Sequence, residues 1–344
     1  MKKKFKKALV IGSGAFGTSI ASVLACNFEK VVLLGRTVDF KHNIEHYHEN
    51  KKYLSGQILE ENIVASFSWE ELDGIGQELD LLVFGIPSTA ITSYLYDHFD
   101  DVERIVKKGV PVVSLSKGID PVTLELSDDL FFNFLSSFKD QFTFLSGPSF
   151  AREIMDKQIT LVSLAGRSRE VLIKISNMLE TPFFKVMPNY DIKGVLLGGA
   201  LKNILAIAGG VIEGLGYNDN TRAAMITRGI AEMLRFGVIF NARPETFYGL
   251  SGMGDLILTT TGELSRNKKF GLQIAKGHSV DEALKIVGHV VEGYKTTLAA
   301  HRLSEKYEIR ARIFNGAHDV LFLGKHPSDV ILELMNSPIR FELG

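Results

Sequence analysis

Lys202 and Asn203 lie at the centre of Val195–Ile212, a run otherwise composed of Val, Leu, Ile, Ala and Gly. Such a run reads as a helix that is apolar on nearly every face, which belongs in a core. An unpartnered ammonium buried there would be costly and would tend to give up its proton. Lys202 is therefore the first candidate for proton chemistry in a polar cavity. A lysine snorkelling from the helix edge and a structural ion pair are the competing readings. Three further segments set polar groups in glycine-rich or apolar surroundings. Lys117, in Ser114-Leu115-Ser116-Lys117-Gly118, follows a buried strand and should emerge at the ligand edge of a sheet. Asp255, in Gly252-Met253-Gly254-Asp255-Leu256, is expected on a turn that exposes its carboxylate. Ser265-Arg266-Asn267 groups a hydroxyl, a guanidinium and an amide, a set suited to a small phosphate. Each alone is weak, since a post-strand lysine or such a tripeptide is usually surface decoration; the combination is what points to a site.

Gly12-Ser13-Gly14-Ala15-Phe16-Gly17 supplies a second half to that chemistry. It joins an apolar run, Ala8–Ile11, to a helical pattern at Thr18–Ala25, the context in which GxGxxG binds a dinucleotide. Gly12 permits the tight turn, Gly14 lets a pyrophosphate approach the backbone, and Gly17 allows close helix-to-strand packing. The helix N-terminus then offers amides and positive dipole to the phosphates. A tight turn without ligand is the alternative. About 20 residues on, an NAD site would carry Asp or Glu for the adenosine ribose. Gly35-Arg36 stands there instead, and a guanidinium can pair with a 2′-phosphate. NADPH is favoured, with Asp39 close enough to keep NADH open. Two lysines, an arginine and a carboxylate beside a hydride donor would make a coherent site for a phosphorylated ketone.

The elements that must position these groups alternate. Strands are predicted at Ala8–Ile11, Val31–Leu34, Asn62–Phe67, Leu81–Phe84, Val112–Leu115, Phe142–Leu145, Thr160–Ala165 and Phe183–Val186. Ser68-Trp69-Glu70-Glu71 reads as a capping-box start to a short helix. Strands alternating with helices predict an α/β fold, a Rossmann-like doubly wound parallel sheet binding ligands at the carboxyl ends of its strands. From about Asp191 long helical patterns take over, at Val195–Ile212, Thr221–Phe240, Ser279–Ile286 and Thr296–Tyr307. The expected division is residues 1–190, a nucleotide-binding domain, and residues 191–344, an all-helical domain that completes the substrate site.

At 344 residues the chain has room for two cores. A formal net charge of −1 provides no general field for nucleic acid or anionic membrane. Met1–Lys7 is locally basic but lacks the apolar stretch of a signal peptide, and reads as a solvated leader. One long apolar run, broken by glycines and centred on Lys-Asn, argues against membrane insertion. The single cysteine, Cys26, expected as a buried thiol on an apolar helix, fits a reducing cytoplasm. His42, His46 and His48 lack the flanking pattern of a metal site and read as part of a solvated segment, so no metal is expected.

These motifs, in this order, also carry a resemblance. Gly12–Thr18, Leu34-Gly35-Arg36, Pro87-Ser88, Ser116-Lys117-Gly118, Gly147-Pro148-Ser149-Phe150-Ala151, Gly198–Asn203, Gly252–Asp255, Ser265–Asn267 and Val290–Gly293 resemble those of bacterial NAD(P)-dependent glycerol-3-phosphate dehydrogenases. The resemblance runs from Val10 to about Lys325. Ile86, Met253 and Gln158-Ile159 depart from the usual residues without touching the groups named. It implies reduction of dihydroxyacetone phosphate to sn-glycerol 3-phosphate, with Lys202 as the proton-transfer residue. It implies Lys117, Gly147, Ser149, Lys202, Asp255, Ser265, Arg266 and Asn267 on the substrate. Beside the cofactor it implies Ala15, Phe16, Arg36, Lys117, Ala151, Arg266, Val290 and Glu292, and it implies a homodimer. The rival readings are another two-domain dehydrogenase of 3-hydroxy-acid or ketopantoate type, and a catalytically silent NAD(P)-sensing module.

Overall fold

A computed structural model describes residues 4–72, 78–288 and 290–336. Its first half is built from β1 (Phe5–Ile11), α1 (Ala15–Ala25), β2 (Phe28–Leu34), α2 (Val38–Tyr47), β3 (Ile63–Ser66), β4 (Leu79–Phe84), α3 (Ile91–Asp97), α4 (Phe99–Val106), β5 (Val112–Ser114) and α5 (Ser127–Phe132). There follow β6 (Phe142–Ser146), α6 (Ala151–Met155), β7 (Thr160–Gly166), α7 (Arg169–Leu179) and β8 (Phe184–Asn189). The eight strands form one sheet in the order β3-β2-β1-β4-β5-β6-β7-β8. The order reverses between β1 and β4, which is where a doubly wound sheet opens its ligand crevice. Alternate residues of β1 serve opposite faces. Leu9 and Ile11 join a core shared with α3, α4, α5 and the helices beyond, whereas Ala8 and Val10 join one shared with α1 and α7.

Four features differ from those expected of the sequence. β6 and β7 pair antiparallel, so the sheet is mostly rather than wholly parallel. The reason lies in α6: five residues rise about 7.5 Å, too little to carry the chain back along a strand of this length. Ser68–Glu71 starts no α-helix. Glu71 bonds Ser66 Oγ and the Phe67 amide, one residue before the expected cap, leaving a single 3₁₀ turn at Glu70–Leu72. Lys6 and Lys7 belong to β1 rather than to a leader, and Met1–Lys3 lie outside the described residues. Cys26 caps the end of α1 and is only half-buried.

Past β8 the chain is helical: α8 (Ile192–Gly214), α9 (Asp219–Ile239), α10 (Pro244–Phe247), α11 (Asp255–Thr261), α12 (Arg266–Ala275), α13 (Val280–Val287), α14 (Glu292–Lys306), α15 (Arg312–Phe322) and α16 (Pro327–Met335). α8 starts where Asp191 accepts the Gly194 amide on Oδ1, while its Oδ2 accepts the Arg243 amide and the Thr246 hydroxyl. It is long and apolar enough to cross a membrane, yet 94% of its apolar window lies inside the protein. Glycine is normally unfavourable within a helix, by about 1 kcal/mol against alanine. In α8 the missing side chains let other backbones approach. A Cβ on Gly198 would lie 2.7 Å from the Ser251 carbonyl oxygen, and one on Gly210 would lie 2.0 Å from that of Lys268. α12 reciprocates, since a Cβ on Gly271 would lie 2.1 Å from the Ile207 oxygen.

Backbone cannot yield to such a clash cheaply. Gly210→Ala is accordingly expected to cost about 1–3 kcal/mol by overpacking, despite the better helix propensity of alanine. A thermal melt checks this; an unchanged or raised melting temperature would contradict the close α8–α12 packing.

Candidate active site

The glycine loop leaves β1 at the sheet's switch point. Gly12 has φ +107°, and a Cβ there would sit 2.5 Å from the Gly85 carbonyl oxygen at the end of β4. A Cβ on Gly17 would meet the Gly12 oxygen at 2.2 Å. Gly14 is different: a Cβ there would find nothing within 4 Å, so packing gives no reason for a glycine. Room over its backbone, beside an α1 N-terminus that no side chain caps, is what an approaching pyrophosphate requires. Ala15 and Phe16 open that helix. Ala151, the first residue of α6, packs into the same core as both. Arg36 follows β2 and is exposed, as is Asp39 in the first turn of α2.

Asn50 escaped the sequence reading, which treated the surrounding segment as solvated. It is 2% exposed, and its Nδ2 donates to the Ser13 carbonyl and to Thr18 Oγ1, both at 2.8 Å. The glycine loop is thus tethered from beneath. Ile44 is buried as well, so α2 is amphipathic rather than fully solvated.

Across the crevice, Ser116 Oγ donates to the Ile86 carbonyl at 2.6 Å and fixes the loop that presents Lys117. The Lys117 ammonium lies 5.4 Å from the centre of the Phe16 ring, linking the nucleotide loop to the ionic cluster beyond it. That cluster centres on Asp255. Its Oδ1 accepts from Lys202 Nζ at 2.7 Å and its Oδ2 from Lys117 Nζ at 3.1 Å. Asp255 is 2% exposed, correcting the expected exposed turn. A π-helical turn, Leu250–Gly254, delivers it, with the Gly254 amide reaching back to the Gly249 carbonyl. Such turns are frequent at functional sites.

Lys202 also donates to Thr259 Oγ1 at 2.7 Å, and Thr259 in turn donates to the Asp255 carbonyl at 2.6 Å. Thr259 was missed by sequence reasoning, although it stands one helical turn beyond Asp255, where side chains meet. An ammonium has three donors, so after Asp255 and Thr259 one proton of Lys202 is left for a ligand. Burial pushes the Lys202 amine below its ordinary value; Asp255 opposes that and Lys117 reinforces it. Burial would raise the Asp255 carboxyl, but the two lysines outweigh it and hold the group below the usual carboxylate range.

The remaining predicted residues divide into free and engaged groups. Gly147 ends β6 with φ +149°, and Ser149 Oγ turns back to its carbonyl at 2.8 Å. Ser265 caps α12, accepting from the Lys268 amide, and is buried. Asn267 is used within the protein: its Nδ2 donates to Asn203 Oδ1 at 2.9 Å and its Oδ1 accepts from the Gly293 amide at 3.0 Å. Asn203 also donates to Glu292 at the start of α14, so α8, α12 and α14 meet at one amide cluster. Val290, just before it, is 57% exposed. Arg266 opens α12, is exposed, and makes no ion pair among the described residues. Of the Ser-Arg-Asn triplet it alone keeps all its polar atoms for a ligand.

Sequence and fold comparisons identify the family. The N-terminal family described as NAD-dependent glycerol-3-phosphate dehydrogenase matches residues 7–172, and its C-terminal counterpart matches residues 191–332. The NAD(P)+ glycerol-3-phosphate dehydrogenase of Leptospira biflexa is 37% identical over 97% of this chain and 98% of its own. The glycerol-3-phosphate dehydrogenase of Coxiella burnetii superposes with a TM-score of 0.86 at 30% identity, covering 97% of this chain and 99% of that one. The yeast enzyme aligns at 26% identity with a TM-score of 0.79, over 97% of this chain and 100% of its own. These matches favour neither a 3-hydroxy-acid or ketopantoate dehydrogenase nor a silent sensor. By both halves of its sequence and by its fold, the chain belongs to the NAD-dependent glycerol-3-phosphate dehydrogenase family.

Proposed function

We propose that the chain reduces dihydroxyacetone phosphate to sn-glycerol 3-phosphate, reversibly, using NADPH or NADH, and so feeds glycerophospholipid synthesis. The observation that carries this reading is the buried Lys202 amine, paired with Asp255, crowded by Lys117 and left with one unused proton. Bound at the glycine loop, a nicotinamide cofactor supplies the hydride. The loop of Gly12, Gly14, Ala15, Phe16 and Gly17 would hold it, with the open Gly14 backbone towards the pyrophosphate, while Ala151, Val290, Glu292, Lys117 and Arg266 would border the remainder. Arg36 would pair with a 2′-phosphate.

Lys202 is the general acid. As the C2 carbonyl of the ketone becomes an alcohol, the oxygen gains negative charge, and the Lys202 ammonium donates a proton to it. In the oxidative direction the neutral amine takes that proton back, a state that burial and Lys117 make accessible. Asp255 orients the amine through Oδ1 and keeps Lys117 at hand through Oδ2. Lys117, Gly147, Ser149 and Ser265 line the substrate. Arg266, with Asn267 at its base, grips the phosphate and fixes the distance from phosphate to carbonyl.

We also propose a division into residues 1–190 and 191–344, a cytoplasmic location, no membrane insertion and a homodimer. The burial of α8 supports the absence of insertion; the dimer rests on the family resemblance.

Lys202→Met keeps an unbranched side chain of similar length and removes the charge. It should lose about 10²–10⁴-fold in kcat while nucleotide affinity and melting temperature survive. Turnover of dihydroxyacetone phosphate followed by NADPH absorbance checks this, and near-native turnover by a folded variant would end the assignment. For the cofactor, NADPH should serve at least as well as NADH, and Arg36→Asp should shift preference towards NADH. Fluorescence titration of both nucleotides decides it; unchanged NADPH affinity in the variant would detach Arg36 from the 2′-phosphate.

A further inference from the structure

Lys268 is a buried cation that the mechanism above leaves unused. The residue is 2% exposed and lies in the first turn of α12, two residues after Arg266. Its ammonium donates to the Thr261 carbonyl at 3.2 Å and to Glu263 at 2.7 Å, and lies 3.1 Å from Glu213 near the end of α8. Arg222 of α9 shares Glu213 at 3.2 Å. The Lys268 amide donates to Ser265 Oγ, and its carbonyl is seated against Gly210 of α8. One residue thereby holds the end of α11, the linker and the cap of α12 while its own backbone rests on the central helix.

The linker it brackets has a defined task. α11 begins with Asp255 and α12 begins with Arg266, so residues 262–265 set how far the guanidinium stands from the Asp255–Lys202 pair. Arg266 itself is exposed and without an ion pair among the described residues, so its backbone placement is what aims it. Only the lysine is buried: Glu263 is 82% and Glu213 32% exposed, and ion pairs that reach solvent in this way add little stability, which leaves geometry as the reason for a charge here. We infer that Lys268 is a positioning residue: it fixes the 262–265 linker so that Arg266 meets the substrate phosphate at a set distance from Lys202, and thereby governs affinity for the phosphorylated ketone. The inference rests on the reading of Arg266 as the phosphate grip.

The test measures KM and kcat for dihydroxyacetone phosphate at saturating NADPH in Lys268→Met, Lys268→Arg, Glu263→Gln, Arg266→Ala and the Lys268→Met/Arg266→Ala pair. Lys268→Met should raise KM about tenfold or more while kcat stays within about threefold, because uniform binding is lost rather than chemistry. Lys268→Arg should restore most of the affinity. Glu263 is 82% exposed, so its glutamine variant should fold, with a smaller rise in KM. In the Arg266→Ala background Lys268→Met should add nothing, as expected for residues acting through one another. If Arg266→Ala raises KM but Lys268→Met and Glu263→Gln do not, the positioning role is overturned and the phosphate grip stands. An equal effect of Lys268→Met with and without Arg266 overturns it too. If Arg266→Ala leaves KM unchanged, the grip fails and the inference falls with it. Should Lys268→Met not fold, Glu263→Gln in both backgrounds decides by the same criteria.

Discussion

One carboxylate shared between two ammonium groups organises this molecule. Asp255 gives one oxygen to Lys202 and the other to Lys117, and those lysines come from the central helix and from a sheet loop. Neither lysine could be buried at this depth without it, since an isolated charge would be driven to its neutral form. The two lysines in turn hold the Asp255 carboxyl below the usual carboxylate range against the effect of burial. The cluster therefore fixes the sheet, α8 and α11 in one arrangement, and it leaves the Lys202 amine poised to give or take a proton.

That arrangement demands close backbone approach, and glycine supplies it. Gly198 sits one turn before Lys202 and admits the π-helical turn that carries Asp255; Gly210 and Gly271 seat α12, with Arg266 at its head, on the same helix. On the nucleotide side, Gly12 and Gly17 close the first β-α turn while Gly14 leaves its backbone open. Packing explains five of these six glycines. The sixth, Gly14, has no packing reason, which is the contrast expected of a nucleotide-binding loop as against a mere tight turn.

Much of this was legible in the sequence. The strand–GxGxxG–helix order located the crevice because each glycine has a local job, and Lys202 stood out because burial of a charge is rare on an apolar helix. Other features depended on long-range partners. The burial of Asp255 hinges on where two distant lysines arrive, and a glycine-rich turn by itself signals exposure. Asn50 looked like one polar residue among many, since nothing nearby in sequence shows that it reaches Ser13 and Thr18. Asn267 read as a ligand group, and in the folded protein its amide joins α8 to α14. The antiparallel β6–β7 pair followed from the shortness of α6, which only the structure reveals.

Burial and Lys117 together push the Lys202 amine below its ordinary value of 10.5. Ketone reduction requires the protonated amine, so its rate should fall as pH rises through that lowered value, while alcohol oxidation should rise through the same range. Removing the neighbouring charge in Lys117→Met should move both limbs to higher pH, whatever it does to the plateau rate. The most direct measurement is therefore the pH profile of kcat in both directions for the native enzyme and for Lys117→Met. Opposed limbs below 10.5 that shift upward in the variant are the predicted result. Profiles without such a limb, or limbs that Lys117→Met leaves in place or moves to lower pH, would contradict the account.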